Sequence, residues 1–157
     1  MRSRAIYCFI AFLMLFGLSA CGFEPIYASG SQIGKDLHNI KLMAPTTREE
    51  YIFSRSFEER LGRNMGASTT LRYTISIYDQ GLDLSGVSRV QKIGNVSYQL
   101  INEANGDVIV SGRVESFTSY SAKDDLSVAA QRDASERLLI ILADRVIAKL
   151  TAQLPSN

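Results

Sequence analysis

Residues 69–79, Thr69-Thr70-Leu71-Arg72-Tyr73-Thr74-Ile75-Ser76-Ile77-Tyr78-Asp79, decide the fold. Leu71, Tyr73, Ile75 and Ile77 alternate with Thr70, Arg72, Thr74, Ser76 and Tyr78. Successive side chains of a pleated strand face opposite sides, so this stretch predicts a strand with one packed face and one wet face. The polar residues 80–86 read as a loop. A further strand is expected over residues 88–102, with Val96, Tyr98 and Leu100 inward. Ile93-Gly94 breaks the phase, which predicts a bulge there. Asn105-Gly106 is a hairpin signal, because both residues tolerate the positive φ of a type I′ turn. The next strand then places Val108, Val110 and Val114 on the packed side.

Asp124-Asp125 precedes a long helical pattern over residues 126–153. Ala130, Ala134, Leu138, Ile141 and Leu142 share its apolar face. Working upstream, Thr46-Thr47 and Glu49-Glu50 stand at the three-residue offset of a capping box. There a hydroxyl and a carboxylate satisfy free amides at a helix start. The helix is expected to reach residue 64, with Phe53, Phe57 and Leu61 on one stripe. Residues 37–43 read as a short first strand with Ile40 and Leu42 inside, ended by Ala44-Pro45. Strand, helix, three strands and helix imply an α+β fold, a four-stranded antiparallel sheet with two helices on one face.

That layout leaves the other face uncovered. It carries Thr70, Arg72, Thr74, Ser76, Asn95, Ser97, Gln99, Ser111, Arg113 and Glu115, mostly hydroxyls and amides. One reading is a solvated face of good strand formers. The other is a docking surface centred on Thr74, Ser76, Ser97, Gln99 and Arg113, because such groups pair with a polar partner without the desolvation cost of buried charge.

The chain begins MRSRAIYCFIAFLMLFGLSACGFEP. Arg2 and Arg4 form a positive start, Ile6 to Leu18 an apolar run too short for a membrane span, and Ser19-Ala20 a small-residue cleavage site. The order is that of a secretory signal, and Leu18-Ser19-Ala20-Cys21 resembles the lipobox of bacterial lipoproteins. That resemblance implies removal of residues 1–20 and acylation of Cys21. The alternatives are a plain signal peptide with a chance cysteine and an uncleaved N-terminal helix. Each buried methylene contributes about 0.8 kcal/mol, so two or three acyl chains hold a protein at its membrane. By the lipoprotein class's enteric sorting rule, Gly22 permits transfer to the outer membrane, so the implied location is a lipid anchor there, facing the periplasm. Residues 21–35 are punctuated by Gly, Ser and Pro and read as a tether, and residues 36–157 as one domain.

Removing residues 1–20 takes Lys and Arg from 17 to 15 against 16 acids, a formal charge of −1. A near-neutral chain lacks the basic surface that nucleic acid requires. Cys8 leaves with the signal and Cys21 with the lipid, so no disulfide is expected. His38 is the one histidine. The chain has no H-E-x-x-H, no G-x-S-x-G elbow and no Gly-rich phosphate loop. The adjacent carboxylates Glu49-Glu50, Glu58-Glu59 and Asp124-Asp125 suit helix starts and solvated helix faces. The expectation is a protein with no catalytic residues, metal or cofactor. Arg89, Lys92, Arg113 and Lys123 cluster near strand ends, where they suit either lipid phosphates or plain solubility.

Cys21-Gly22-Phe23-Glu24-Pro25-Ile26-Tyr27 resembles the C-G-F-x-P-L-Y start of alphaproteobacterial lipopolysaccharide-assembly lipoproteins of the LptE type. Residues 129–138, AAQRDASERL, with Leu142-Ala143-Asp144, resemble that family's last helix. The resemblance implies a non-enzymatic subunit of the outer-membrane lipopolysaccharide translocon. Its implied partners are lipopolysaccharide and a β-barrel of the LptD type, whose lumen it plugs and whose assembly it assists. The family's lipopolysaccharide contacts would fall on residues 80–92, hence on Arg89 and Lys92. This chain departs there, holding Asp83 and few positive charges. A lipid carrier or adaptor lipoprotein of another envelope machine is the rival; it should enclose an apolar pocket of several hundred Å³, whereas a plug should have a filled core.

Overall fold

The structure, a computed structural model, describes residues 32–84, 87–121 and 127–154. The expected signal, Cys21, Lys123 and Asp124-Asp125 lie outside them. The elements are α1 (Gln32–His38), β1 (Ile40–Leu42), α2 (Arg48–Leu61), β2 (Thr69–Leu84), β3 (Val87–Asn102), β4 (Val108–Ser121) and α3 (Ser127–Gln153). The fold is α+β, with helices packed against a four-stranded sheet of order β1-β2-β3-β4.

The sheet is mixed rather than wholly antiparallel. Ile40, Lys41 and Leu42 pair in parallel with Thr69, Thr70 and Leu71. A helix between two strands returns the chain to its starting end, so β1–α2–β2 pairs in parallel, whereas the hairpins pair antiparallel. Residues 32–35, expected in the tether, and residues 37–38, expected in the first strand, are helical instead. Leu37 is buried and Ile33 packs against the core, which is the one-turn spacing of a helix face.

The alternation expected along these strands holds. Leu71, Tyr73, Val96, Tyr98, Leu100 and Val114 are buried, while Arg72, Thr74, Ser97, Gln99 and Arg113 are exposed. Two expectations along β3 and β4 change. Ile93 and Gly94 sit in unbroken register with Tyr78 and Ile77, and the irregularity falls at Leu100/Ile101 instead. Gly94 answers a packing need: a Cβ there would lie 2.9 Å from Leu142 Cδ1 and 3.0 Å from Leu138 Cδ2. The shift beside Leu100 leaves Val108 half out, 51% exposed, rather than inward. The hairpin falls where Asn105-Gly106 placed it, but the loop is longer than two residues. Gly106, at φ 75°, donates its N–H to the Asn102 carbonyl at 2.8 Å, and Asn102 N–H bonds the Asp107 carbonyl at 2.9 Å.

Helix α2 starts on the expected cap. Glu50 N–H donates to Thr47 Oγ1 at 3.1 Å, and Glu50 Oε2 accepts from the Thr46 N–H at 2.7 Å and the Thr47 N–H at 3.3 Å. It stops at Leu61, short of residue 64, because Gly62 turns the chain at φ 82°. Phe53, Phe57 and Leu61 are buried, and the Phe53 ring lies 4.8 Å from that of Tyr73. Helix α3 buries Ala134, Leu138, Leu142, Val146 and Leu150. Arg60 Nη2 reaches Asp144 Oδ2 at 3.1 Å and ties α2 to α3.

The Thr46 and Thr47 bonds hold the Glu50 carboxyl below its ordinary value of 4.5. A depressed carboxylate adds stability above its unfolded pKa, and loses it as pH falls through the folded one. Glu50→Gln is therefore expected to melt below the native chain at pH 7. The gap should narrow as pH drops below about 4.5, read by thermal unfolding across pH; a gap independent of pH refutes the cap's ionic part.

Candidate functional site

The uncovered sheet face is the candidate site. Cross-strand register arranges its side chains in rows. Thr74, Ser97 and Arg113 form one row; Arg72, Gln99 and Ser111 flank it on one side, and Ser76, Asn95 and Glu115 on the other. All five residues expected to dock a partner, Thr74, Ser76, Ser97, Gln99 and Arg113, are exposed on this face. Arg113 has no ion-pair partner among the described residues. Thr70, at the proximal end, is buried and donates to Glu103 Oε1 at 2.5 Å. That bond, with Lys41 Nζ 3.4 Å from Glu103 Oε2, keeps the Glu103 carboxyl below its ordinary range.

The next row was not read from the sequence as a unit. Tyr78 pairs with Ile93, and Ile93 with Phe117. Tyr78 is 50% and Phe117 62% exposed, so an apolar stripe crosses the polar face. Tyr78 could be placed outward by alternation. Ile93 and Phe117 could not be joined to it, because only the three-strand register brings them together.

Arg89 and Lys92 do not come together. Residues 80–84 and 87–92 are strand rather than loop, and three positions along a strand put two side chains on opposite faces. Arg89 is exposed on the open face, roughly 27 Å along β3 from Ser97. Lys92 points under the helices and is only 5% exposed. Its ammonium lies 2.5 Å from Asp79 Oδ1 and 5.9 Å from the Tyr120 ring centre. Tyr120 Oη and Gln131 Nε2 donate to Asp79 Oδ2 at 3.2 and 3.3 Å. Burial and the Asp79 charge raise the Tyr120 phenol. Burial pushes the Tyr73 phenol up to about 12, with the Glu50 charge adding to it. None of these groups faces the exposed rows.

A cleft of about 490 Å³ lies between the start of α2 and α3, lined by Glu49, Glu50, Lys92, Gln131 and Arg132 among others. One of about 520 Å³ runs beside β4. Both open to solvent and carry charged rims. Among the described residues no group of three His, Cys, Asp or Glu could hold a metal ion, and no helix is long and apolar enough to cross a membrane. His38 Nδ1 lies 2.7 Å from the Gly34 carbonyl one turn back.

No family model matches the chain, and no curated protein does. Solved structures share its fold. A candidate lipoprotein from Caulobacter crescentus CB15 is 23% identical with a TM-score of 0.66, covering 78% of this chain and 94% of that one. A minor lipoprotein from Acinetobacter baumannii is 17% identical with a TM-score of 0.56, covering 72% and 88%. The rare lipoprotein B of Shewanella oneidensis is 20% identical with a TM-score of 0.53, covering 72% and 93%. At these identities the likeness is one of fold.

Proposed function

We propose that this chain is a lipid-anchored outer-membrane lipoprotein, held by acylated Cys21 on the periplasmic side. In this reading it serves the lipopolysaccharide translocon as a non-enzymatic subunit, plugging and helping to assemble a β-barrel partner and binding lipopolysaccharide. The uncovered sheet face carries the reading. Barrel lumens are polar, and rows of hydroxyls and amides meet such a wall at little desolvation cost. The Tyr78–Ile93–Phe117 stripe supplies the aromatic anchor that a wholly polar face lacks. The likeness in fold to proteins described as lipoproteins supports the anchor, as does the Leu-Ser-Ala-Cys run. A core filled by Phe53, Phe57, Leu71, Leu138 and Leu142, under open clefts with charged rims, favours a plug over a lipid carrier.

Photo-crosslinking from Ser97 in living cells tests the docking. The expected product is a one-to-one adduct with an outer-membrane barrel. Ser97→Arg should cut recovery of the native complex about tenfold while shifting stability by no more than about 0.5 kcal/mol. Adducts with solvent-phase proteins alone, or full recovery with Ser97→Arg, count against the plug. Arg89→Glu is the clean test of lipopolysaccharide contact, because Lys92→Glu would put a second negative charge against Asp79 inside the fold.

A further inference from the structure

The groove beside β4 is unlike the sheet face and has its own logic. Strand β4 ends the sheet, and no backbone hydrogen bond reaches its outer edge among the described residues. Its floor is Val114, and α3 walls it with Arg145, Ala148, Lys149 and Ala152, which are spaced along one helix face. The edge carbonyl of Glu115 accepts from Arg145 Nη1 at 2.8 Å. That contact shows which way the edge points: Glu115 and the residues two away, Arg113 and Phe117, turn their backbone groups outward. Arg113, Arg145 and Lys149 bring three positive charges against the single carboxylate of Glu115, and none of the three is in an ion pair among the described residues.

We propose that this groove takes an extended, acidic polypeptide segment, which adds to β4 as a fifth strand. A free strand edge offers alternating N–H and C=O groups that another extended chain satisfies. In the unbound protein Arg145 stands in for that chain at the Glu115 carbonyl. On docking, a peptide N–H takes over the carbonyl, and the released guanidinium pairs with a peptide carboxylate, a stronger charge-assisted bond. Lys149 and Arg113 donate to carboxylates on either side. A lipid phosphate satisfies the cations but supplies no N–H row for the edge carbonyls, which is why a polypeptide is favoured. Basic side chains also guard edges against unwanted pairing; as mere guards they would admit no acidic strand.

The test uses the full chain in detergent. Its probe is a fluorescein-labelled peptide of about ten residues alternating glutamate with valine and threonine, long enough to span the edge from Arg113 to Phe117. Controls are the same peptide with lysine for glutamate, and phosphatidylglycerol vesicles. Acidic peptide should raise anisotropy saturably and slow amide exchange at Arg113, Glu115 and Phe117. The lysine peptide should bind at least about tenfold more weakly. Arg145→Glu with Lys149→Glu should cost the acidic peptide at least about tenfold in affinity in a chain that still unfolds cooperatively, and Lys149→Glu alone, which leaves the Arg145 bond in place, should weaken it in the same direction. The proposal is overturned by absent slowing at those amides, by equal binding of the two peptides, by amides already protected in the free chain, or by vesicles binding through the same cations with no edge protection. Recovery of the barrel complex by the double variant is read separately, so this proposal and the plug can fail independently.

Discussion

Leu138→Ala is expected to lower the unfolding free energy by about 2–5 kcal/mol, seen as a fall in the denaturant midpoint at constant slope. Leu138 is fully buried and presses on the backbone of Gly94, where no Cβ intervenes. Truncation therefore opens a cavity between α3 and the middle of β3, in a place where two regular elements cannot relax inward. The same geometry makes a second, sharper demand. A Cβ built on Gly94 meets Leu138 Cδ2 at 3.0 Å and Leu138 Cγ at 3.3 Å, beside Leu142 Cδ1 at 2.9 Å. Gly94→Ala alone should cost about 1–3 kcal/mol by overpacking. In the Leu138→Ala background two of those three contacts are gone, and the added methyl enters the vacated space. The double variant should then be more stable than the sum of the singles predicts by about 1 kcal/mol or more. Additivity within about 0.5 kcal/mol would show that α3 does not rest on Gly94.

Asp79→Ala should be far more damaging than Lys92→Met, although both remove one end of the same pair. The Lys92 side chain is 6% exposed and that of Asp79 31%. Removing the carboxylate strands an ammonium under the helices and leaves Tyr120 and Gln131 without their shared acceptor. Losing one partner of a fully buried pair costs about 3–5 kcal/mol; the partial exposure of Asp79 brings the expectation to about 2–3 kcal/mol. Lys92→Met keeps the aliphatic volume and removes the buried charge, while Asp79 keeps its two neutral donors and its access to water. Its expected effect is within about 1 kcal/mol of zero, in either direction. Chemical denaturation of both variants decides it: equal losses would mean that Lys92 is hydrated and the pair contributes only as a surface bridge.

The Lys92 pair also shows where sequence reading stopped. A lysine three positions from an arginine, in a stretch containing Gln80, Gly81 and Asp83, has the composition of a loop carrying a basic patch. Glycine and aspartate are poor strand formers, yet residues 80–84 continue β2 because β3 offers them a paired ladder to Leu84↔Val87. Once both stretches are strand, the pleat sends Arg89 and Lys92 to opposite faces. Gly94 misled in a related way: a glycine in a strand marks either a bulge or a close neighbour. The neighbour here is a helix 44 residues later in the chain, at Leu138.

What residue order alone determined is whatever depends on near neighbours. The two-residue period of 71–77 and 96–100, the Thr47–Glu50 cap and the place of the β3–β4 hairpin all follow from local sterics and from hydrogen bonds a few residues long. Those patterns sufficed for the α+β class and for the polar character of the open face. Tertiary structure decided the rest: the parallel sense of β1, the helical start at Gln32, the inward Lys92 and the Tyr78–Ile93–Phe117 stripe. All but the helical start depend on register between segments far apart in the chain, and a one-residue slip in register exchanges the two faces of a strand. No local pattern carries that information, because it is set only when helices and sheet close on a common core.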